Sequence, residues 1–159
     1  MIGNLVRLTR VELETALADA DWVREFVDSM LEEDEEDPRH LCVGKAWHAL
    51  GFLTGRLGFP VDVVCGEQEV PWDEEWGYGP LRYLTPEQVE VADKAVRGVN
   101  VGELLDGVSA GDLVAAEVYP VSVWEDEFSF EFVSAEYVRL GRFLRAAAWA
   151  GNGVIAWID

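Results

Sequence analysis

The chain has 159 residues, enough for one domain that buries roughly 68–70% of the surface its unfolded form exposes. Half of the residues are hydrophobic and seven are Trp, so the chain carries the apolar surface a packed core needs. Lys and Arg number 12 against 31 Asp and Glu, a net charge of −19 that argues against nucleic-acid phosphates and anionic membranes as partners.

The first ten residues hold no apolar run behind a positive region and no small-residue cleavage site, so a secretory leader is not expected. No stretch approaches the roughly 18–20 apolar residues of a spanning helix. A cytoplasmic protein is the expectation, with Cys42 and Cys65 as reduced thiols packed like small hydrophobes.

In chain order, Ile2 to Leu8 reads as a short strand stopped by Thr9. Thr9 and Glu12 form a capping-box pattern that opens a helix over about Arg10 to Leu17, and Asp19 or Asp21 can cap a second helix. That second helix places Trp22, Phe26 and Met30 on one face with Val23 and Val27. Six consecutive acids, residues 32–37, then run into Pro38 and read as an exposed, mobile loop, since anions at a helix C-terminus oppose its dipole. Val43 to Thr54 has helical spacing, with Ala46, Trp47, Leu50 and Leu53 inward and Gly55 just past its end. Pro60 to Cys65 reads as a strand or an extended loop. Residues 66–79 are turn-rich, acidic and aromatic, and a loop with that many large rings is expected to be pinned to something.

Leu81 to Leu84 reads as a strand, followed by Thr85 as N-cap, Pro86 at the first helical position and Gln88 at the third, with the helix ending near Gly98. Val101 to Leu105 and Ala110 to Val118 are short helical candidates. The alternation over 128–132 imitates a strand. Val133, Tyr137, Leu140, Leu144 and Ala147, however, continue at helical spacing and place a helix start between Ser129 and Ser134. After Gly151–Gly153, Val154 to Ile158 has the composition of a buried strand. Strands at both ends with helices between them predict an α+β fold. The expectation is a single compact domain spanning 1–159, whose small sheet includes the N- and C-terminal strands and packs with several helices.

Several segments together resemble the YfbM-like family of small bacterial proteins. They are the N-terminal strand running into a Leu-Thr helix start, Lys45 to Leu50 followed by Phe52 to Gly55, Tyr78 to Glu87, Ala116 to Pro120 with Trp124, and the ending Ala156 to Asp159. Gly44 and Gly51 depart from the family pattern, standing where an acid and a second His would be expected. The resemblance covers nearly the whole chain and implies a compact α+β fold. It implies no activity, because the family is one of unknown function.

The residues themselves offer few chemical motifs. Gly107-Val108-Ser109-Ala110-Gly111 matches G-x-S-x-G, but both His, at 40 and 48, lie upstream and a helical stretch precedes the turn. Ser109 is therefore read as a helix N-cap with Asp112 at the third helical position. His40, Cys42, His48 and Cys65 match no zinc spacing, and no metal site is expected. No phosphate-binding loop, dinucleotide fingerprint or H-E-x-x-H helix is present, so the sequence implies no cofactor.

Lys45, His48 and Phe52 fall on one helical stripe, where a Lys beside a His has acid–base potential; a snorkelling Lys and a boundary His are the favoured alternative. Tyr78, Arg82 and Tyr83 cluster near Trp72 and Trp76, where Arg82 either grips a ligand carboxylate or locks internally to an acid such as Glu117. The internal lock is favoured. No catalytic residue is assigned.

Two functions remain. The first is a small acidic binding protein, of the inhibitor or immunity type, for a basic protein partner. Its warrant is the charge distribution, with twelve acids against three bases in residues 1–37. The second is a small-molecule binder or enzyme whose pocket draws on Lys45, Trp47, His48, Tyr78, Arg82, Tyr83 and Tyr119.

Overall fold

The computed structural model describes residues 1–32, 37–124 and 128–159. Its layering follows from side-chain alternation along the first and last strands. In β1 (Gly3–Leu8), Leu5 points to one face while Val6 and Leu8 point to the other. In β5 (Gly153–Ile158), Val154 and Ala156 join Leu5, and Ile155 and Trp157 join Val6. Both faces are covered by helices, which is why β5 reads as an unbroken apolar run. The two terminal strands pair antiparallel along their whole length, from Gly3 opposite Ile158 to Leu8 opposite Gly153.

The sheet is completed by β2 (His40–Gly44), β3 (Gln68–Glu69) and β4 (Arg82–Leu84), in the order β2-β1-β5-β4-β3, with every neighbouring pair antiparallel. On the Val6 face lie α1 (Arg10–Ala18) and α2 (Ala20–Leu31), which contribute Leu13, Ala16, Val23, Val27 and Met30. On the Leu5 face lie α3 (Trp47–Arg56), α4 (Pro86–Arg97), α5 (Val101–Leu105), α6 (Ala110–Ala115) and α7 (Phe128–Trp149), anchored by Leu50, Val89, Leu104, Leu113 and Leu140. The fold is thus a single α+β domain with the terminal strands adjacent in its sheet.

The caps act as the sequence predicts. Thr9 and Glu12, and Thr85 and Gln88, form reciprocal capping boxes, and Asp19 rather than Asp21 caps α2 by accepting from the Trp22 N–H at 3.0 Å. Trp22 and Phe26 stack with centroids 5.0 Å apart, both half-buried against the core of the Val6 face.

Five readings differ in whole or in part from expectation. Val43 belongs to β2, not to a helix, because Leu41 and Val43 alternate inward against β1; Gly44, at φ 57, then turns the chain so that α3 starts at Trp47. Gly55 lies inside α3, and the left-handed position after the helix is Gly58 at φ 69. Residues 60–65 form no strand, because the Asp62 carboxylate accepts from the Val64 and Cys65 N–H groups and closes a turn. Helix α6 stops at Ala115, short of Val118, and Glu117 takes φ 53. Helix α7 begins at Phe128, one residue before the predicted window. Positions 33–36 of the acidic run lie outside the described residues.

Candidate functional site

The pairing of β1 with β2 and the turn at Gly44 bring the start of α3 against β1. Lys45 therefore sits in the turn before the helix, exposed, and does not share a helical stripe with His48 and Phe52. Trp47 and His48 stack at 4.8 Å with ring planes 10° apart, and the Tyr119 ring lies 6.5 Å from Trp47. His48 Nδ1 accepts the Tyr119 backbone N–H at 2.9 Å. That bond requires Nδ1 to be unprotonated, and burial lowers the His48 pKa from its ordinary value in the same sense. His48 is in this way a neutral acceptor holding the 118–120 segment. Nδ1 has no free lone pair for general-base work.

Beside this corner lies a cavity of about 240 Å³ whose described lining is Lys45, Pro120, Val123, Trp124, Ser129 and Phe132. Its wall polar atoms are already used: Trp124 Nε1 donates to the Val118 carbonyl at 2.6 Å, and the Ser129 hydroxyl donates to the Val123 carbonyl. What remains is a hollow whose described lining is apolar apart from Lys45. Among the described residues Lys45 makes no ion pair.

Arg82 and Tyr83 form a separate arrangement. Arg82 Nε donates to the Gly66 carbonyl at 3.1 Å, one terminal nitrogen donates to the Glu67 carbonyl at 3.2 Å, and the other reaches Glu69 at 2.7 Å. The Tyr83 hydroxyl donates to Gln68 Oε1 at 2.6 Å. This is the internal lock expected of Arg82, with Glu69 rather than Glu117 as its acid. It ties the 66–69 segment to β4. Tyr78 is 70% exposed and is held through its backbone N–H to the Ile158 carbonyl at 2.7 Å. Tyr78, Arg82 and Tyr83 contribute no wall to the Lys45 cavity.

The 66–79 loop is pinned, as its rings imply, and its anchor is the α1–α2 layer. Trp72 Nε1 donates to the Ala16 carbonyl at 2.9 Å, Arg24 pairs with Glu74 at 3.2 Å, and the Arg24 guanidinium lies 4.8 Å above the Trp76 ring. The exposed Asp73, Glu74 and Glu75 are thereby placed beside the helices that expose Glu14, Asp21, Glu25 and Asp28. Sequence spacing alone does not join these two groups, which are about fifty residues apart. Among the described residues six arginines, including Arg10, Arg39, Arg82 and Arg139, are engaged in internal ion pairs, so little positive charge offsets this face.

A model of a domain of unknown function, DUF1877, matches residues 1–157. The chain belongs to the DUF1877 family. The crystal structure of YfbM from Escherichia coli, a protein of unknown function, superposes with a TM-score of 0.68 over 98% of both chains at 16% identity. The YfbM-like resemblance carried by residues 45–55 and 78–87 is therefore shown, and at that identity the structural likeness concerns the fold. No curated protein matches the chain.

In this DUF1877 chain the remaining motifs have structural partners. Ser109 caps α6 in a reciprocal box with Asp112, whose pKa is lowered first by the serine hydroxyl and then by its backbone N–H. His40 Nε2 lies 3.0 Å from Asn4 Oδ1, and its ring stacks on Trp157 at 6.2 Å. Burial, with Asp62 adding to it, pushes the Cys65 thiol up to about 12. Among the described residues no three His, Cys, Asp or Glu side chains gather as metal ligands, and no helix is long and apolar enough to cross a membrane.

Proposed function

We propose that this DUF1877 protein is a binding protein whose acidic α1–α2 face, extended by Asp73–Glu75, docks a basic protein partner in the manner of an inhibitor or immunity protein. The observation that carries this reading is the pinning of the 72–76 loop, which adds its acids to those of the helices and holds them there. A preorganised field of one sign raises the encounter rate with an opposite charge and makes binding fall with salt. The test is capture of partners from the parent cell at about 50 mM and about 500 mM salt, using the natural chain and the triple variant Asp21→Lys, Glu25→Lys, Asp28→Lys. A basic protein retained at low salt by the natural chain and lost with the variant supports the reading. Equal retention by both chains, or no retained basic protein, refutes it.

A second reading is favoured by the Lys45 cavity, whose described lining, apolar apart from Lys45, suits a small apolar molecule bearing an acceptor group. Lys45 is its charged contact, while Trp47, His48 and Tyr119 form the adjoining support; Arg82 and Tyr83 are excluded from it by their internal bonds. Thermal stabilisation by an aromatic carboxylate that Lys45→Met abolishes would support it. Stabilisation that survives Lys45→Met would remove it.

A further inference from the structure

On the Leu5 face of the sheet, opposite the acidic layer, α4 and α7 pack side by side and leave a groove between them. Two adjoining hollows of about 340 Å³ each run along it and share Arg97 and Arg145. Its cations are Lys94, Arg97, Arg142 and Arg145, four of the twelve basic residues of the chain. Among the described residues Arg142 and Arg145 are exposed and make no ion pair, which sets them apart from most arginines in this protein. Glu90 and Asp93 also line the groove, but Asp93 is buried and already held by Arg97 at 3.0 Å. The floor is apolar along Val96, Val99 and Gly141, and the edges expose Val138 at 42% and Trp149 at 91%.

We propose that this groove is a docking site for a short acidic peptide segment of another protein, carrying one or two large apolar side chains between its carboxylates. Charge decides the sign of the partner. Guanidiniums without internal acids, in a molecule of net charge −19, remain available for carboxylates, which they bind through paired N–H donors. Shape decides its kind. From Tyr137 to Trp149 the lining spans twelve residue steps of α7, or about 18 Å at 1.5 Å per residue, the length of five or six extended residues. Val138 and Trp149 near the two ends offer apolar contacts for side chains at that separation. A nucleic acid would present phosphates far beyond the groove to the remaining net-negative surface, and that repulsion disfavours it.

The test is fluorescence anisotropy with a labelled, end-blocked hexapeptide of sequence Glu-Leu-Glu-Glu-Phe-Glu. Two comparison peptides have every Glu replaced by Gln, or Leu and Phe replaced by Ala. The natural chain is expected to bind the acidic peptide saturably below about 100 μM at about 50 mM salt, a standard affinity for so small a contact. Either comparison peptide should bind at least about tenfold more weakly, a difference of about 1.4 kcal/mol in binding free energy. Arg142→Glu with Arg145→Glu should weaken the acidic peptide by the same factor or more. Both positions are exposed and, among the described residues, make no ion pair, so the variant is expected to melt with the natural chain; Val138→Ser supplies an independent second variant that removes an apolar contact and should weaken binding severalfold.

The proposal is overturned by absence of saturable binding, by equal binding of either comparison peptide, or by binding that both variants leave unchanged. It is also overturned if a single-stranded oligonucleotide binds as tightly as the peptide. Self-association of the chain that Arg142→Glu with Arg145→Glu abolishes would assign the groove to a second copy, and that outcome overturns it too.

Discussion

Two glycines near the start of α3 carry opposite predictions when replaced by alanine. Gly3 shares the Leu5 face of β1, and a Cβ there would lie 2.5 Å from Trp47 Cβ and 2.9 Å from Val43 Cγ2. Trp47 Cβ is fixed to the backbone of α3 and cannot swing aside, so β1 and the helix must separate. Overpacking of this sort costs about 1–3 kcal/mol, and for a domain of this length each kcal/mol lowers the melting temperature by about 2–4 °C. Gly3→Ala is therefore expected to melt about 2–12 °C below the natural chain. Gly51, two helical turns or less from the same contact, has open space where its Cβ would be. There alanine removes unfolded-chain entropy in a helix interior, and Gly51→Ala should raise stability by about 0.5–1 kcal/mol. Calorimetry or circular dichroism measures both, and near-ultraviolet dichroism reports whether the Trp47–His48 stack shifts in Gly3→Ala. A Gly3→Ala protein within about 0.5 kcal/mol of the natural chain would mean that β1 does not set the position of Trp47, and the account of the α3 corner would fail.

Ser109→Ala should lower stability by about 1 kcal/mol and Ser109→Asn should recover most of it, because asparagine also caps; loss of p-nitrophenyl ester hydrolysis in Ser109→Ala would instead restore the nucleophile reading. The lowered pKa of His48 means that the unfolded chain takes up its proton first as pH falls. The contribution of His48 is thus complete above its unfolded pKa of about 6.5 and declines as pH drops from there toward the folded value. The stability gap between the natural chain and His48→Asn should narrow from pH 8 to pH 5 in paired melts, and a constant gap would contradict the His48–Tyr119 bond. Arg82→Met removes three donors to the 66–69 segment and should cost about 1–3 kcal/mol in urea unfolding, with Arg82→Lys recovering little because an ammonium lacks the planar fork. Full recovery by lysine would show that charge alone matters there.

Local chemistry made much of the fold legible. Thr9 with Glu12, Asp19, Thr85 with Pro86 and Gln88, and Ser109 with Asp112 mark helix starts because a cap needs only side chains three residues apart. The terminal strands were legible because both are apolar and bounded by Thr9 and Gly153. Strand β2 was not, since Leu41 and Val43 alternate for only five residues before Ala46, Trp47 and Leu50 impose a helical period. Strand β3 spans two residues, Gln68 and Glu69, too few for any periodicity, and exists because Arg82 and Tyr83 hold that segment.

The candidate site divides in the same way. The internal role of Arg82 follows from the abundance of acids, whereas its choice of Glu69 depends on strand register. Lys45 and His48 were legible as neighbours, but the turn at Gly44 separates a rim ammonium from a backbone acceptor. The basic groove was illegible for a simpler reason: Lys94 and Arg97 stand about forty-five residues from Arg142 and Arg145, and only the packing of α4 on α7 joins them.

That packing changes what the net charge means. A uniform excess of anions would serve solubility and repel every acidic partner alike. Here the excess is built up on the α1–α2 side by a loop tied down through Trp72 and Arg24, while the opposite helical layer concentrates four cations around an apolar groove. If the two proposals hold, each side discriminates by sign at short range, within a screening length of about 8 Å at physiological salt, and acts independently of the total charge. Charge reversal at Arg142 and Arg145 should leave capture of a basic protein by the α1–α2 face intact, and charge reversal at Asp21, Glu25 and Asp28 should leave the acidic peptide on α4–α7. Cross-effects of equal size in both directions would mean that net charge, rather than the sidedness set by the sheet, governs what this protein binds.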